Sequence, residues 1–265
     1  MKRTANEEPI TAEQILPHLN NQIIGRKIYC FRQIGSTNER LRRLCRNREE
    51  EGAVVIADSQ TQGRGRLQRN WHSPPGLGLW FSVLLRPTTF LNRLGLISLL
   101  SGLAIAEAIA EQTGLSPKLK WPNDVLINSK KVCGILAESE IKNGSADISL
   151  GVGINVNHRK MDFPESIQQL ATSLYLATGA PIDRVHLLVK ALQKLEKYYR
   201  LFLNGDHEKI RREWLALCIH NGMAVKVASG EIIFEGRFQE IDENGEMLLQ
   251  DASGQICRVR AGEVS

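Results

Sequence analysis

No pair of cysteines here has the spacing of a disulfide framework or a thiolate metal site. The five, at positions 30, 45, 133, 218 and 257, are odd in number and widely separated, with no C-x-x-C, and are expected as buried thiols in a reducing compartment. The six histidines include no H-E-x-x-H or comparable spacing, so no protein-bound structural metal is expected. Long apolar runs are missing too. The longest, residues 94–110, is interrupted by Gly95, Ser98, Ser101, Gly102 and Glu107 and falls short of the ~20 residues a bilayer needs, which predicts a buried helix. The first nine residues lack the apolar core of an export signal. A cytoplasmic protein with no membrane segment is the expectation.

What remains is ordinary globular material: 265 residues, 42% hydrophobic and 24% charged, enough for one large core and a smaller domain. That balance excludes a disordered chain, and no repeat or low-complexity segment is evident. The formal charge of +5 is spread along the chain, densest at Arg40, Arg42, Arg43, Arg46 and Arg48. It admits acidic partners without requiring nucleic acid.

Residues 58–71 dominate the pattern. Gly63 and Gly65 alternate with Arg64 and Arg66, and Arg69 and Trp71 follow. Glycine lets backbone approach a ligand closely, and guanidinium groups supply planar, permanently charged donors for phosphate or carboxylate. An extended loop would point Arg64 and Arg66 the same way, and its glycines would leave it loose until a ligand ordered it. The spacing also fits a solvated basic turn, or an Arg-Gly segment touching nucleic acid.

In chain order, a short helix crossed by Pro17 is expected over residues 11–19 and a strand over 27–34. With 35 residues before Ser36, no winged helix-turn-helix is expected. Ser36-Thr-Asn-Glu39 fits a capping box; its helix N-terminus, with the Ser36, Thr37 and Asn38 side chains, could hold a ligand carbonyl. Strands follow at 53–57 and 79–85, then the long helix to about Thr113. Residues 125–138 read as a hairpin turning at Asn128-Ser129, with Lys131 and Gly134 just past the turn. The strand over 148–156 carries Gly151, Gly153 and Asn155, leaving space on one sheet face. Helices are expected at 183–203 and 206–217, the latter N-capped by Asp206. From about Ile219 short alternating strands with Ser-Gly and Asn-Gly turns predict a small β barrel or sandwich.

Gly63-Arg-Gly-Arg-Leu-Gln-Arg-Asn-Trp71, then Trp121-Pro-Asn-Asp124 with Lys131, Gly134 and Leu136, together resemble the signature segments of the biotin protein ligases. Ser36-Thr-Asn38, Gln60 and Gly151-Val-Gly-Ile-Asn155 fall in family order, so the resemblance covers about residues 29–157 and extends to the C-terminal strands. It implies an α+β fold: a mixed-sheet catalytic domain of the biotin/lipoate ligase type over 1–217 and a small SH3-like β barrel over 218–265. It implies an ATP-dependent enzyme that makes biotinyl-5′-AMP from biotin and MgATP and then modifies a lysine of a biotin carboxyl carrier protein, such as an acetyl-CoA carboxylase subunit. Catalysis is expected from Arg66, Lys131 and Asp124, the last orienting or deprotonating the acceptor lysine. Biotin should contact Ser36, Thr37, Asn38, Gln60, Arg64, Gly65, Arg66, Lys131, Gly134 and Leu136. The nucleotide should contact Arg64, Arg66, Arg69, Trp71, Asn123, Lys131 and Asn155. No metal is expected on the protein itself, Mg²⁺ entering with ATP. The chain resembles the enzyme-only form, without specific DNA binding, and leaves a homodimer open.

Two other readings compete. A lipoate or octanoate transferase shares this fold, but the R-R-x-x-G-G-G type of loop expected there is absent. A non-enzymatic nucleic-acid binder leaves Lys131, Gly134 and the Trp-Pro-Asn-Asp segment without a purpose, and residues 219–265 carry more acids than bases.

Overall fold

Side chains that alternate between two environments sort the central strands into a sheet covered on both faces. In a computed structural model the chain is described at residues 8–47, 49–142 and 144–265. Residues 1–7, weighed above for an export signal, and Arg48 of the basic run lie outside the described residues. The elements are α1 (Ala12–Ile15), β1 (Ile28–Ile34), α2 (Thr37–Arg46), β2 (Val54–Gln60), β3 (Gly78–Leu85), α3 (Gly95–Thr113), β4 (Lys118–Lys120), β5 (Asp124–Ile127), β6 (Lys130–Lys142) and β7 (Ser145–Asn155). Then come α4 (Leu174–Thr178), α5 (Arg184–Leu203), α6 (His207–Leu217), β8 (Ala224–Ser229), β9 (Ile232–Ile241), β10 (Met247–Gln250), β11 (Ile256–Val259) and β12 (Glu263–Val264).

The first sheet has the order β1-β2-β3-β7-β6-β5-β4, with β1 parallel to β2 and every other neighbour antiparallel. Val54 and Ile56 of β2 and Leu79, Phe81, Val83 and Leu85 of β3 join the main core, under α3 and α5. Ala53, Val55 and Leu84 face the other way and bury Leu41 of α2. This period of two is what a strand with two occupied faces requires. The interrupted apolar run is the buried helix α3, packed against α5 and α6. The second sheet, order β11-β10-β9-β8-β12, is antiparallel and forms a small SH3-like unit. It is seated on the first part through Trp121 Nε1, which donates to Gly245 O at 3.1 Å, and Arg211 Nε, which donates to Ile241 O at 2.8 Å.

Three local expectations are corrected. Ser36 caps α2 by accepting from Glu39 N at 3.5 Å, but the Glu39 carboxylate pairs with Arg43 one turn on, so the reciprocal half of the box is missing. A charged partner at i+4 outbids the backbone N–H. Asp206 precedes α6 without a side-chain cap bond, because its backbone (ψ 43°) is not in the extended form that aims an N-cap side chain at the helix. Of the five thiols only Cys133 and Cys218 are buried; Cys30, Cys45 and Cys257 are partly exposed.

Candidate active site

On the α2-facing side of the sheet, glycines stand at the centre. Ser82 of β3 pairs with Gly151 of β7, which pairs with Leu136 of β6; one step along, Trp80 pairs with Gly153 and Gly153 with Gly134. Ser82, Gly134, Gly151 and Gly153, the small members of these rows, leave a hollow above the strands. A cavity of about 430 Å³ lies there, and all fifteen residues expected at the site line it.

One wall comes from α2 and the end of β2. Thr37 N donates to Gln60 Oε1 at 2.8 Å, Gln60 Nε2 donates to Ser73 Oγ at 3.0 Å, and Thr37 Oγ1 lies 3.1 Å from Gln60 Oε1. Asn38 reaches across the hollow: its Nδ2 lies 3.2 Å from Leu136 O and 3.0 Å from Glu138 Oε2, and its Oδ1 lies 2.6 Å from Ser82 Oγ. A Cβ on Gly151 would stand 2.4 Å from Asn38 Oδ1, so the glycine admits this amide. Asn38, expected on a ligand, lines the cavity with its side chain held by Leu136, Glu138 and Ser82, and Ser36, Thr37 and Gln60 line it beside Asn38.

The opposite wall is cationic. The glycine-arginine stretch is a closed hairpin, not an open extended loop: Arg64 bridges Asn70, Gly65 N donates to Arg69 O at 2.7 Å and Trp71 N to Gly63 O at 2.9 Å. Leu67 and Gln68 turn it with φ of 51° and 58°. Backbone pairing thus closes the loop on itself. Arg66 Nη1 donates to Gly262 O at 3.0 Å, with Asn123 Oδ1 at 3.4 Å, and burial holds its pKa below the usual guanidinium value. Arg69 pairs with Glu263 at 2.5 Å. Lys131 Nζ pairs with Asp124 Oδ1 at 2.6 Å and stands 5.3 Å from the Trp71 ring centroid. Lys131 is therefore half-buried and paired, unlike a solvated edge lysine.

Trp71 fills the slot the strand glycines leave. A Cβ would meet its ring at 2.9 Å from Gly134 and meet its Nε1 at 2.4 Å from Gly153, so what approaches Gly134 closely is this indole. Asn123 Nδ2 donates to Ile135 O at 2.6 Å, and Asn155 Nδ2 to Thr172 O at 3.1 Å, tying β7 to the segment that pairs with Lys131. The arrangement brings a neutral wall of hydroxyl and amide groups against guanidinium and ammonium groups, suited to an uncharged polar head at one end and anions at the other.

Sequence reasoning missed Ser73, Ser82, Lys120, Glu138, Gly262 and Glu263. A serine inside the apolar β3 was the signal available for Ser82. Lys120, which lines the cavity, stands directly before the recognised Trp-Pro-Asn-Asp segment. Nothing local marks Gly262 or Glu263.

The sequence profile of the biotin/lipoate A/B protein ligase family matches residues 30–155, and that of the biotin protein ligase C-terminal domain matches residues 220–265. The chain is 36% identical over 239 residues to the bifunctional ligase/repressor BirA of Bacillus subtilis, covering 89% of this chain and 73% of that protein. It is 33% identical over 259 residues to the biotin--[acetyl-CoA-carboxylase] ligase of Mycobacterium tuberculosis, covering 93% of each. The solved biotin protein ligase of Aquifex aeolicus, in complex with biotin and ATP, matches with a TM-score of 0.76 at 35% identity, covering 91% of this chain and 98% of that one. The chain belongs to the biotin protein ligase family.

Proposed function

We propose that this protein is an ATP-dependent ligase that activates biotin as biotinyl-5′-AMP and transfers it to a lysine of a biotin carboxyl carrier domain. The observation that carries this is the single cavity joining the Ser36, Thr37 and Gln60 wall to the Arg64, Arg66 and Lys131 wall. In the first step a carboxylate oxygen of biotin attacks the α-phosphorus of ATP, and the bond to pyrophosphate breaks. Two anions must meet, and the three cations lower that repulsion. In the second, the neutral amine of the acceptor lysine attacks the acyl carbon and AMP leaves. Asp124 is the carboxylate beside the cations, suited to orienting that amine or taking its proton. On this reading Mg²⁺ enters with ATP, on its phosphates, while the two carboxylates lining the cavity, Asp124 and Glu263, pair with Lys131 and Arg69.

On this reading the chain divides near Leu217, and the reaction runs in the cytoplasm, where the five free thiols stay reduced. Site-specific DNA binding is not part of it; a salt-resistant, sequence-specific gel shift would count against that. The decisive test is ATP–pyrophosphate exchange with biotin, lipoate and octanoate in parallel. Biotin alone should support it; exchange with lipoate alone overturns the proposal.

A further inference from the structure

Ser82 is fully buried on β3 and is not among the residues expected to touch a ligand. Its hydroxyl has one proton, and two oxygens lie within reach, Asn38 Oδ1 at 2.6 Å and Thr37 Oγ1 at 2.7 Å. The Asn38 amide is oriented by three acceptors around its Nδ2: Leu136 O, Glu138 Oε2 and Ser149 O. Its Oδ1 therefore faces Ser82, and an amide oxygen only accepts. The Ser82 proton goes to Asn38, and the Thr37 hydroxyl gives its own proton to Ser82 Oγ. Gln60 Oε1, the other acceptor near Thr37 Oγ1, is farther off at 3.1 Å and also takes the Thr37 N–H, so the shorter contact to Ser82 holds the Thr37 proton, and neither acceptor leaves that proton for the cavity. Thr37 thus turns lone pairs, not a proton, towards the cavity it lines. Beside it Ser36 Oγ accepts from Glu39 N and keeps its proton to give.

We propose that Ser82 is a positioning residue that fixes the direction of this hydrogen-bond chain, so that Thr37 offers an acceptor and selects an acyl substrate whose head carries N–H. The inference rests on the ligase reading above, and it supplies a reason for preferring a cyclic urea to a dithiolane, which has no N–H to give. A buried acceptor left unpaired by the wrong substrate is a strong discriminator.

The test is pyrophosphate exchange kinetics of Ser82→Ala, Thr37→Val and the double variant, with thermal melting of each. Ser82→Ala should raise the KM for biotin about 10-fold, more than it lowers kcat, with the KM for ATP within about 2-fold. In the Thr37→Val background Ser82→Ala should change the biotin KM by less than about 2-fold, because it acts through Thr37. Ser82→Cys, close in size and a weaker donor, should fall between serine and alanine, and keeps the test open if alanine does not fold. Factors that multiply in the double variant, or biotin and ATP KM values that rise together, overturn the proposal. A wild-type protein without biotin-dependent exchange would instead count against the ligase reading.

Discussion

Arg66 joins parts of the chain that are 196 residues apart, through its bond to Gly262 O, and its half-buried charge sits at the lip of the cavity. A guanidinium held there, short of water, is suited to gripping the adenylate once it forms. A charge-assisted bond of this kind contributes about 1.5–3 kcal/mol, so Arg66→Gly should release biotinyl-AMP about 10- to 100-fold faster. Adenylate synthesis should suffer less, because Arg64 and Lys131 remain. The variant, given biotin, ATP and an unrelated lysine-rich protein, should label that protein on a biotin blot. Adenylate that still forms while the bystander stays unlabelled would assign retention to another residue. Residue types were legible at this scale, since paired glycines and arginines announce an anion. The engagement of Asn38 was not, since an asparagine at a helix start looks alike whether it serves a ligand or a strand.

The strand elements carry the second lesson. Alternating Gly151 and Gly153 showed in the sequence that one face of β7 had to be open. Which groups fill it depended on packing, and they are Asn38 and Trp71. Gly153→Ala would put a methyl group 2.4 Å from Trp71 Nε1 and lift the indole off the sheet. Overpacking of this kind costs about 1–3 kcal/mol. If Trp71 encloses the nucleotide, the KM for ATP should rise about 10-fold and the biotin KM should rise less, both read by pyrophosphate exchange. A KM for ATP unchanged in a folded variant would leave Trp71 as core only. The capping of α2 was also half legible: Ser36 behaved as its sequence implied, while Glu39 took the guanidinium one turn on.

At the scale of the whole molecule, the second sheet reaches the site through Gly262 and Glu263, and the segment after β7 is held by buried aromatic contacts. His158 stacks on Phe163 at 4.9 Å and meets Trp80 at 5.8 Å, with neither ring nitrogen bonded. Burial, and then the charge of His72, push its pKa down to about 3. The unfolded chain binds this proton near pH 6.5 and the native state only near 3. The stability linked to His158 is therefore fully present above about pH 6.5. It is lost progressively as pH falls through the window towards 3. The urea midpoint should drop more between about pH 7 and about pH 5 in the wild type than in His158→Leu, whose side chain has no proton to take up. Parallel drops in the two proteins would assign the acid sensitivity to other groups.

The sequence by itself determined whatever rests on neighbours in the chain: strand alternation, the buried α3, the turns of the second sheet, and the motif residues that resemble a ligase. Backbone geometry repeats every two or about 3.6 residues, so such features are written locally. Only the tertiary structure decided which group met which. Thr37, Asn38 and Ser82 are joined across 44 to 45 residues of chain, and Lys131 is paired with Asp124 through a hairpin whose register includes a shift. A hydrogen bond is made or lost within a few tenths of an ångström, and no spacing along the chain encodes that distance between elements.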